Sequence, residues 1–184
     1  MPRLSLVLLT GALALVTAAC DRESEEAAQP QAAAELSGTI DRGSAGQAMP
    51  AVELTDPEGA RLATAELEGT PVLLNLWATW CVPCVTEMPM LDDLAAELGE
   101  DVRVVTVSQD MNGAEAVRPF FAERDLRNLP QWLDPQNHLG RLAQDSGLPL
   151  TVLYDAEGKE VWRVAGGYDW SAEAAREAIA EATT

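Results

Sequence analysis

The stretch Val72-Leu-Leu-Asn-Leu-Trp-Ala-Thr-Trp-Cys-Val-Pro-Cys84 decides the fold of this chain. It begins as a nearly continuous apolar run, which is typical of a β-strand buried on both faces. Residues 85–98 follow with apolar side chains at helical spacing, and Gly99 ends the predicted helix. Cys81 and Cys84 therefore lie at the junction where a central strand ends and a helix begins.

The position of this cysteine pair favours redox chemistry. Backbone N–H groups and the helix dipole stabilise negative charge at a helix start, which favours a thiolate. We predict Cys81 to be the more exposed thiol and the nucleophile, and Cys84, one turn further in, to be the resolving thiol. Pro83 fits between them because N–H groups of a first turn lack intrahelical partners. The spacing predicts a redox-active disulfide.

Two other uses of the Cys-x-x-Cys pair stay open at this point. A zinc site would need two more thiolates or imidazoles, and the chain offers only Cys20 and His138. A purely structural disulfide would close an unusually small loop at a strand-to-helix junction. We predict no metal site and no cofactor beyond the disulfide itself.

Further strands and helices surround this unit. Residues 51–55 and 61–67 flank the turn Asp56-Pro-Glu-Gly59 and predict a small β-hairpin. Downstream we predict strands at 102–107, 151–154 and 160–164, helices at 114–124 and 139–145, and an alanine-rich last helix capped by Ser171. The predicted class is α/β, with a central mixed sheet flanked by helices and an added N-terminal β-hairpin.

The composition excludes several classes of function. The chain has 30 acidic and 12 basic residues and a formal net charge of −18, which argues against a nucleic-acid partner. His138 is the single histidine, so one chain cannot build a metal centre that needs two or three imidazoles. Neither a GxxxxGK[ST] nor a GxGxxG loop occurs, which removes the common nucleotide-binding sites.

The first 20 residues have the zones of an export signal: Arg3, an apolar run over 4–16, and small residues before Cys20. Cys20 directly follows two alanines and resembles the lipobox cysteine of bacterial lipoproteins, which is acylated and becomes the new first residue. Asp21 resembles the signal that retains enterobacterial lipoproteins at the inner membrane. An ordinary cleaved signal and an uncleaved anchor are the alternatives, and all three place the domain outside the cytoplasm.

Residues 21–49 are expected to connect this signal to the folded domain. They contain no aromatic residue, few branched apolar residues, and many Ala, Gln, Glu and Gly. Such a composition buries too little apolar surface to offset the entropy of ordering the chain. We therefore predict a flexible acidic, Ala-rich tether over 21–49 and a folded domain over 50–184.

The motifs along the domain resemble one known family. They are Trp80-Cys-Val-Pro-Cys84 after a buried strand, Glu87 and Pro89 in the next helix, Gly147-Leu-Pro149, and Thr151-Val-Leu-Tyr-Asp155 followed by Gly158. In this order they look like the membrane-anchored periplasmic thioredoxins of the TlpA, ResA and CcmG type. The segment Gly166-Gly-Tyr-Asp-Trp170 is most similar to the TlpA-like members. The resemblance covers residues 50–184.

This resemblance implies a thioredoxin fold and a substrate-binding surface around the dithiol. Pro149 would be the cis-proline packed beside the cysteines, and the backbone of Leu148 would pair with an extended peptide. Trp80 and Pro83 would complete that surface. Leu150 departs from the family, because many relatives carry threonine directly after the cis-proline.

The resemblance also bears on three positions near the cysteine pair, and two of them have a second interpretation. Asn75 stands where cytoplasmic thioredoxins carry a buried aspartate, and an amide cannot shuttle a proton. Glu87 lies three residues after Cys84 on the same helix face, where it can exchange the proton that Cys84 loses during resolution. A surface carboxylate favoured by the helix dipole is the rival interpretation of Glu87. Pro89 would kink the helix, or end it at Met88.

The resemblance implies a membrane-tethered periplasmic thiol:disulfide oxidoreductase that reduces client disulfides. A membrane electron donor of the DsbD/CcdA type would reduce it. Its clients would be apocytochrome c, or the copper-site proteins of cytochrome oxidase. Two alternatives are a copper-delivery module that uses the dithiol with His138, and a peroxiredoxin-like peroxidase, although the latter expects Thr-x-x before its cysteine where this chain has Ala78-Thr-Trp80.

Overall fold

The computed structural model describes residues 36–134 and 136–183. Its strands are β1 (Thr39–Asp41), β2 (Glu53–Thr55), β3 (Arg61–Ala63), β4 (Val72–Trp77), β5 (Arg103–Ser108), β6 (Trp132–Leu133), β7 (Leu150–Tyr154) and β8 (Glu160–Ala165). Its α-helices are α1 (Val82–Leu98), α2 (Ala114–Arg124) and α3 (Glu173–Ile179). Short 3₁₀ helices lie at Thr64–Leu67, Leu139–Ala143 and Ala180–Ala182. No α-helix among these residues is both long and apolar enough to cross a membrane.

The strands form one mixed sheet in the order β1-β8-β7-β4-β5-β6-β2-β3. β4 pairs in parallel with β5, and β5 with β6, whereas β7 runs antiparallel to both β4 and β8. β2 and β3 form the expected antiparallel hairpin. The predicted class, with its mixed sheet and added hairpin, is confirmed.

β4 lies at the centre of the sheet and is buried along its whole length. Leu73 and Trp77 point to one face, where they join a core cluster with side chains from all three α-helices. Leu74 and Leu76 point to the other face, where residues of two 3₁₀ helices cover them. The alternation of side chains along a strand thus gives this one segment two cores.

The predicted tether is wrong over its last part. Thr39–Asp41 pairs antiparallel with β8 as an edge strand, and Ala48 forms a bridge with Lys159. Gly38 permits this docking, because a Cβ there would lie 2.7 Å from Cγ1 of Val164. Residues 36–49 therefore belong to the domain, while the predicted signal and the earlier part of the tether lie outside the described residues.

Three smaller expectations also differ from the structure. Ser171 does not cap α3, since its hydroxyl donates to Asp169 and the helix begins after Ala172 without a side-chain cap. The predicted helix at 139–145 is a 3₁₀ helix over Leu139–Ala143. Pro89 lies inside α1, so the alternative that the helix ends at Met88 is wrong.

Candidate active site

The cysteine pair forms a disulfide at the start of α1, as the spacing predicted. Cys81 and Cys84 are joined with their Cα atoms 5.3 Å apart. Cys81 is the N-cap residue of the helix, and its Sγ accepts a hydrogen bond from the backbone N–H of Cys84. Cys81 is 6% exposed and Cys84 is 0% exposed. Of the two cysteines only Cys81 reaches the surface, so it is the one that an incoming disulfide can approach.

A carboxylate fixes the loop that carries Cys81. Asp110, which follows β5, accepts hydrogen bonds from both the backbone N–H and the hydroxyl of Thr79. The same carboxylate accepts from the Ser108 hydroxyl. Because Asp110 is buried and used on both oxygens, the junction between β4 and α1 is held to the end of the neighbouring strand. Sequence reasoning missed this contact, which joins residues far apart in the chain.

Two exposed apolar side chains flank Cys81 along the chain, and a third lines the same pocket as Trp80. Trp80 is 69% exposed, Val82 is 60% exposed, and Met111 is fully exposed. These are the large hydrophobic residues that the described part of the chain leaves in water. Trp80 thus flanks the dithiol, and the three side chains offer an apolar contact surface to a protein client.

The Leu148–Pro149 peptide bond is cis, as the resemblance implied. Pro149 is buried at the start of β7, and its carbonyl accepts the N–H of Gly166. Leu148 is half-buried and lines the same pocket as Trp80. The structure therefore brings Leu148 to the tryptophan beside the dithiol. The substrate-binding role of these residues, and of Pro83 in the first turn of α1, stays a prediction.

Glu87 is completely buried, so the interpretation as a surface charge is wrong. Its Oε1 accepts from the Asn75 side chain at 2.8 Å. Its Oε2 accepts from the backbone N–H of Tyr168 at 3.0 Å and from the indole N–H of Trp170 at 3.1 Å. Asn75 also donates to the Thr151 hydroxyl, which links the carboxyl group to β7. Three segments, α1, β4 and residues 168–170, thus meet at this carboxyl group, and β7 is joined to it through Asn75.

Burial controls the protonation of this group. Desolvation raises the pKa of Glu87 to about 7, while the hydrogen bonds from Tyr168, Asn75 and Trp170 act in the opposite direction by favouring the carboxylate. A carboxyl group with such a pKa exchanges protons near neutral pH. This is the range in which a general acid–base residue works best.

The structure gives no support for a metal centre. Within 36–134 and 136–183, no group of three or more His, Cys, Asp and Glu side chains is placed to hold a metal ion. His138 is exposed and lines a depression with Pro50 and Arg141, and it is not among the residues that line the pocket of Trp80. The predicted lipid site, Cys20, lies outside the described residues.

In the reduced protein, we expect alkylating reagents to modify Cys81 well before Cys84. The reason is that Cys84 is fully enclosed, whereas part of Cys81 reaches the surface. Timed reaction with iodoacetamide at neutral pH, followed by mass mapping of the peptides, measures both rates and separates them from that of Cys20. Equal rates at Cys81 and Cys84 would contradict the assignment of the nucleophile.

Sequence comparison identifies the family of this chain and its relatives among known proteins. The AhpC/TSA family matches residues 45–173. The thiol-disulfide oxidoreductase ResA of Bacillus cereus is 32% identical over 122 residues, which covers 66% of this chain and 69% of that protein. The family match at 45–173 includes Cys81 and Cys84.

Solved structures that resemble this chain are also thiol-disulfide exchange proteins and thioredoxins. A Chlorobium tepidum protein assigned as the thiol:disulfide interchange protein DsbE has a TM-score of 0.66 and 26% identity, covering 76% of this chain and 98% of that one. The exposed lipoprotein thioredoxin of Streptococcus pneumoniae has a TM-score of 0.61 and 27% identity, covering 72% of this chain and 99% of that one. The chain belongs to the AhpC/TSA family and is a thiol-disulfide oxidoreductase of the ResA and DsbE type.

Proposed function

We propose that this protein reduces the disulfides of protein clients outside the cytoplasm while tethered to a membrane. The observation that carries the proposal is the disulfide Cys81–Cys84, in which Cys81 is partly exposed between Trp80 and Val82 and Cys84 is enclosed. A reductant needs one accessible attacking thiol and one internal thiol that releases the product. The arrangement meets both needs.

The reaction begins with the reduced dithiol. The Cys81 thiolate attacks one sulfur of the client disulfide, which forms a mixed disulfide and releases the first client thiolate. The Cys84 thiolate then attacks the Cys81 sulfur, restores the internal disulfide and releases the second client thiolate. Two electrons pass from the protein to the client, and the two protons of the dithiol end on the client thiols.

In this proposal the side chain of Glu87 accepts the proton of the Cys84 thiol and later returns it. The residue lies one helical turn beyond Cys84 on the same face of α1, and the enclosed thiol has no direct access to water. The deprotonated carboxylate accepts the Cys84 proton before resolution, and the neutral acid returns it when the pair is reduced again. Asn75, Tyr168 and Trp170 hold the carboxyl group in place.

Replacing Glu87 with Gln is expected to remove the step near pH 7 from the pH profile of disulfide exchange. The wild-type rate should rise as Glu87 ionises around its pKa of about 7, because only the carboxylate accepts a proton. Stopped-flow measurement from about pH 5 to 9 tests this, with Glu100→Gln, an exposed site, as the charge-matched control. Superimposable wild-type and Glu87→Gln profiles would mean that the proton travels through water.

The amino-terminal sequence and the resemblance support the proposed compartment and clients. The predicted signal over 1–20, with Cys20 as the acylated residue, supports a lipid anchor on the periplasmic face of the inner membrane. Client disulfides in cytochrome c or cytochrome oxidase maturation, and reduction by a donor of the DsbD/CcdA type, complete the proposal. The word lipoprotein in the name of the Streptococcus pneumoniae relative agrees with a lipid anchor.

Trapping identifies the client directly. In Cys84→Ser the mixed disulfide on Cys81 is not resolved, so client proteins stay attached and are identified by mass spectrometry after non-reducing separation. Cys81→Ser is the matched control, because it keeps one thiol but removes the accessible one. Adducts in both variants, or in neither, would contradict the proposal. Peroxide consumption or tight Cu(I) binding by the dithiol without disulfide exchange would favour a peroxidase or a copper module instead.

A further inference from the structure

A pocket of about 450 Å³ lies beside the dithiol, between the loop after β5 and the loop after β6. Trp80 and Leu148 line the side nearest the cysteines, and Met111 lines the β5 loop. Gln109, Asp110 and Asp134 supply polar groups. The pocket therefore adjoins the surface on which a client disulfide would be attacked.

Two residues that line the pocket each have a buried oxygen that lacks a partner. Asp134 is 4% exposed, and its Oδ2 accepts the backbone N–H of Leu139 at 2.7 Å. Its Oδ1 is buried and accepts no hydrogen bond, and the same holds for Oε1 of Gln109. Both atoms are acceptors only. Buried acceptors are nearly always satisfied, so these two require donors from a bound molecule or from solvent.

The charges of the residues that line the pocket favour a positively charged hydrogen-bond donor. The described residues that line it include two carboxylates and no Lys, Arg or His. Asp110 already accepts from Thr79 and Ser108, so what it adds to the pocket is chiefly its negative charge. The whole chain carries a formal net charge of −18, which adds to the attraction for a cation.

We propose that this pocket takes a lysine or arginine side chain that lies close to the attacked cysteine of the client. The proposal rests on the proposed function and names the client feature that the site selects. The cationic head would donate to Oδ1 of Asp134 and Oε1 of Gln109. Its aliphatic stem would pack against Trp80, Leu148 and Met111, as the stems of long basic side chains do on apolar surface.

Disulfide peptides that differ at one position test the inference on the full chain. Each peptide carries one internal disulfide, with Lys or Gln placed in turn at the two residues on either side of the first cysteine. For the favoured position we expect kcat/KM to be about tenfold higher with Lys, the ratio that one charge-assisted hydrogen bond supports. Hydroxyethyl disulfide, which is small and neutral, measures exchange without the pocket.

Asp134→Asn is the decisive variant, because the amide oxygen can still accept from Leu139 while the NH₂ group replaces the free acceptor. The preference for Lys should fall to about onefold in Asp134→Asn and persist in Asp93→Asn, which removes an exposed charge on α1. Gln109→Met, a second variant that leaves Asp134 in place, should weaken the preference in part. All variants should reduce hydroxyethyl disulfide at the wild-type rate.

Three results would contradict parts of this account in different ways. Equal rates for Lys and Gln peptides at every position, with normal reduction of hydroxyethyl disulfide, would overturn the pocket assignment and leave the proposed function standing. An undiminished preference for Lys in both Asp134→Asn and Gln109→Met would also overturn the assignment. Failure of the wild type to exchange with any of these disulfides would overturn the proposed function, and the pocket assignment with it.

Discussion

Replacing Cys81 with Ser should lower the rate of client disulfide reduction by about 10³-fold or more. A hydroxyl group does not form a mixed disulfide, and the remaining thiol of Cys84 is 0% exposed, so no accessible nucleophile is left. The serine hydroxyl can accept the capping bond from the Cys84 N–H in place of the sulfur, and the bonds from Thr79 to Asp110 do not involve residue 81, so the fold should persist. Reduction of hydroxyethyl disulfide and of a disulfide peptide measures the loss.

Cys20→Ala is the control for this variant. It replaces the cysteine that the proposal assigns to the lipid anchor, so the exchange rate of the protein should stay unchanged. A Cys81→Ser protein that retains the wild-type rate, or a Cys20→Ala protein that loses it, would place the reactive thiol elsewhere. Circular dichroism of each variant confirms that the loss is chemical and does not come from unfolding.

The second large effect concerns stability, and it is carried by Glu87. The pKa of this buried group rises from 4.5 to about 7 on folding. Below the pKa of the unfolded chain, Glu87 is protonated in both the folded and the unfolded state. Its stabilising contribution to the unfolding free energy is therefore fully present there. As pH rises through the folded value, the unfolded chain has already lost its proton and the contribution disappears. The rise corresponds to about 3 kcal/mol of unfolding free energy lost between about pH 4 and 8.

Denaturant unfolding at a series of pH values tests this in the oxidised protein. Other groups titrate over the same range, so the quantity to follow is the difference in unfolding free energy between the wild type and Glu87→Gln. Replacing the carboxylate with an amide also changes the unfolding free energy by an amount that does not depend on pH. This amount cancels when the difference between the two proteins is compared at different pH values. The wild type should lose about 3 kcal/mol relative to Glu87→Gln on going from acid to weakly alkaline pH. A difference that does not vary with pH would mean that Glu87 ionises freely in the fold.

The strand at 72–77 and the helix that follows it could be predicted from sequence because their patterns are local. An apolar run bounded by a Cys-x-x-Cys pair fixes a buried strand and a helix start within a few residues. The hairpin at β2 and β3 was predictable for the same reason, since the turn at 56–59 lies between its strands. β1 was missed because three residues carry little pattern and are held by pairing with β8, far along the chain.

The candidate site likewise has features that local sequence predicts and features that depend on contacts between distant parts of the chain. The cysteine pair and the position of Glu87 follow from local spacing on α1. The donors to Glu87 do not, because the backbone of Tyr168 and the indole of Trp170 come from a segment 81 and 83 residues away. A backbone N–H leaves no mark in the sequence. The unpartnered oxygens of Asp134 and Gln109 were equally invisible, since only packing shows which polar atoms lack a partner.

The central claim is that Cys81 attacks a client disulfide and Cys84 resolves the adduct. Mass mapping of the adduct formed between reduced Cys84→Ser protein and a disulfide peptide tests it most directly. We predict one peptide attached through Cys81, and prompt release of the peptide as dithiol when Cys84 is present. An adduct on Cys20 without modification of Cys81, or no adduct at all while Cys81 is reduced, would contradict the account.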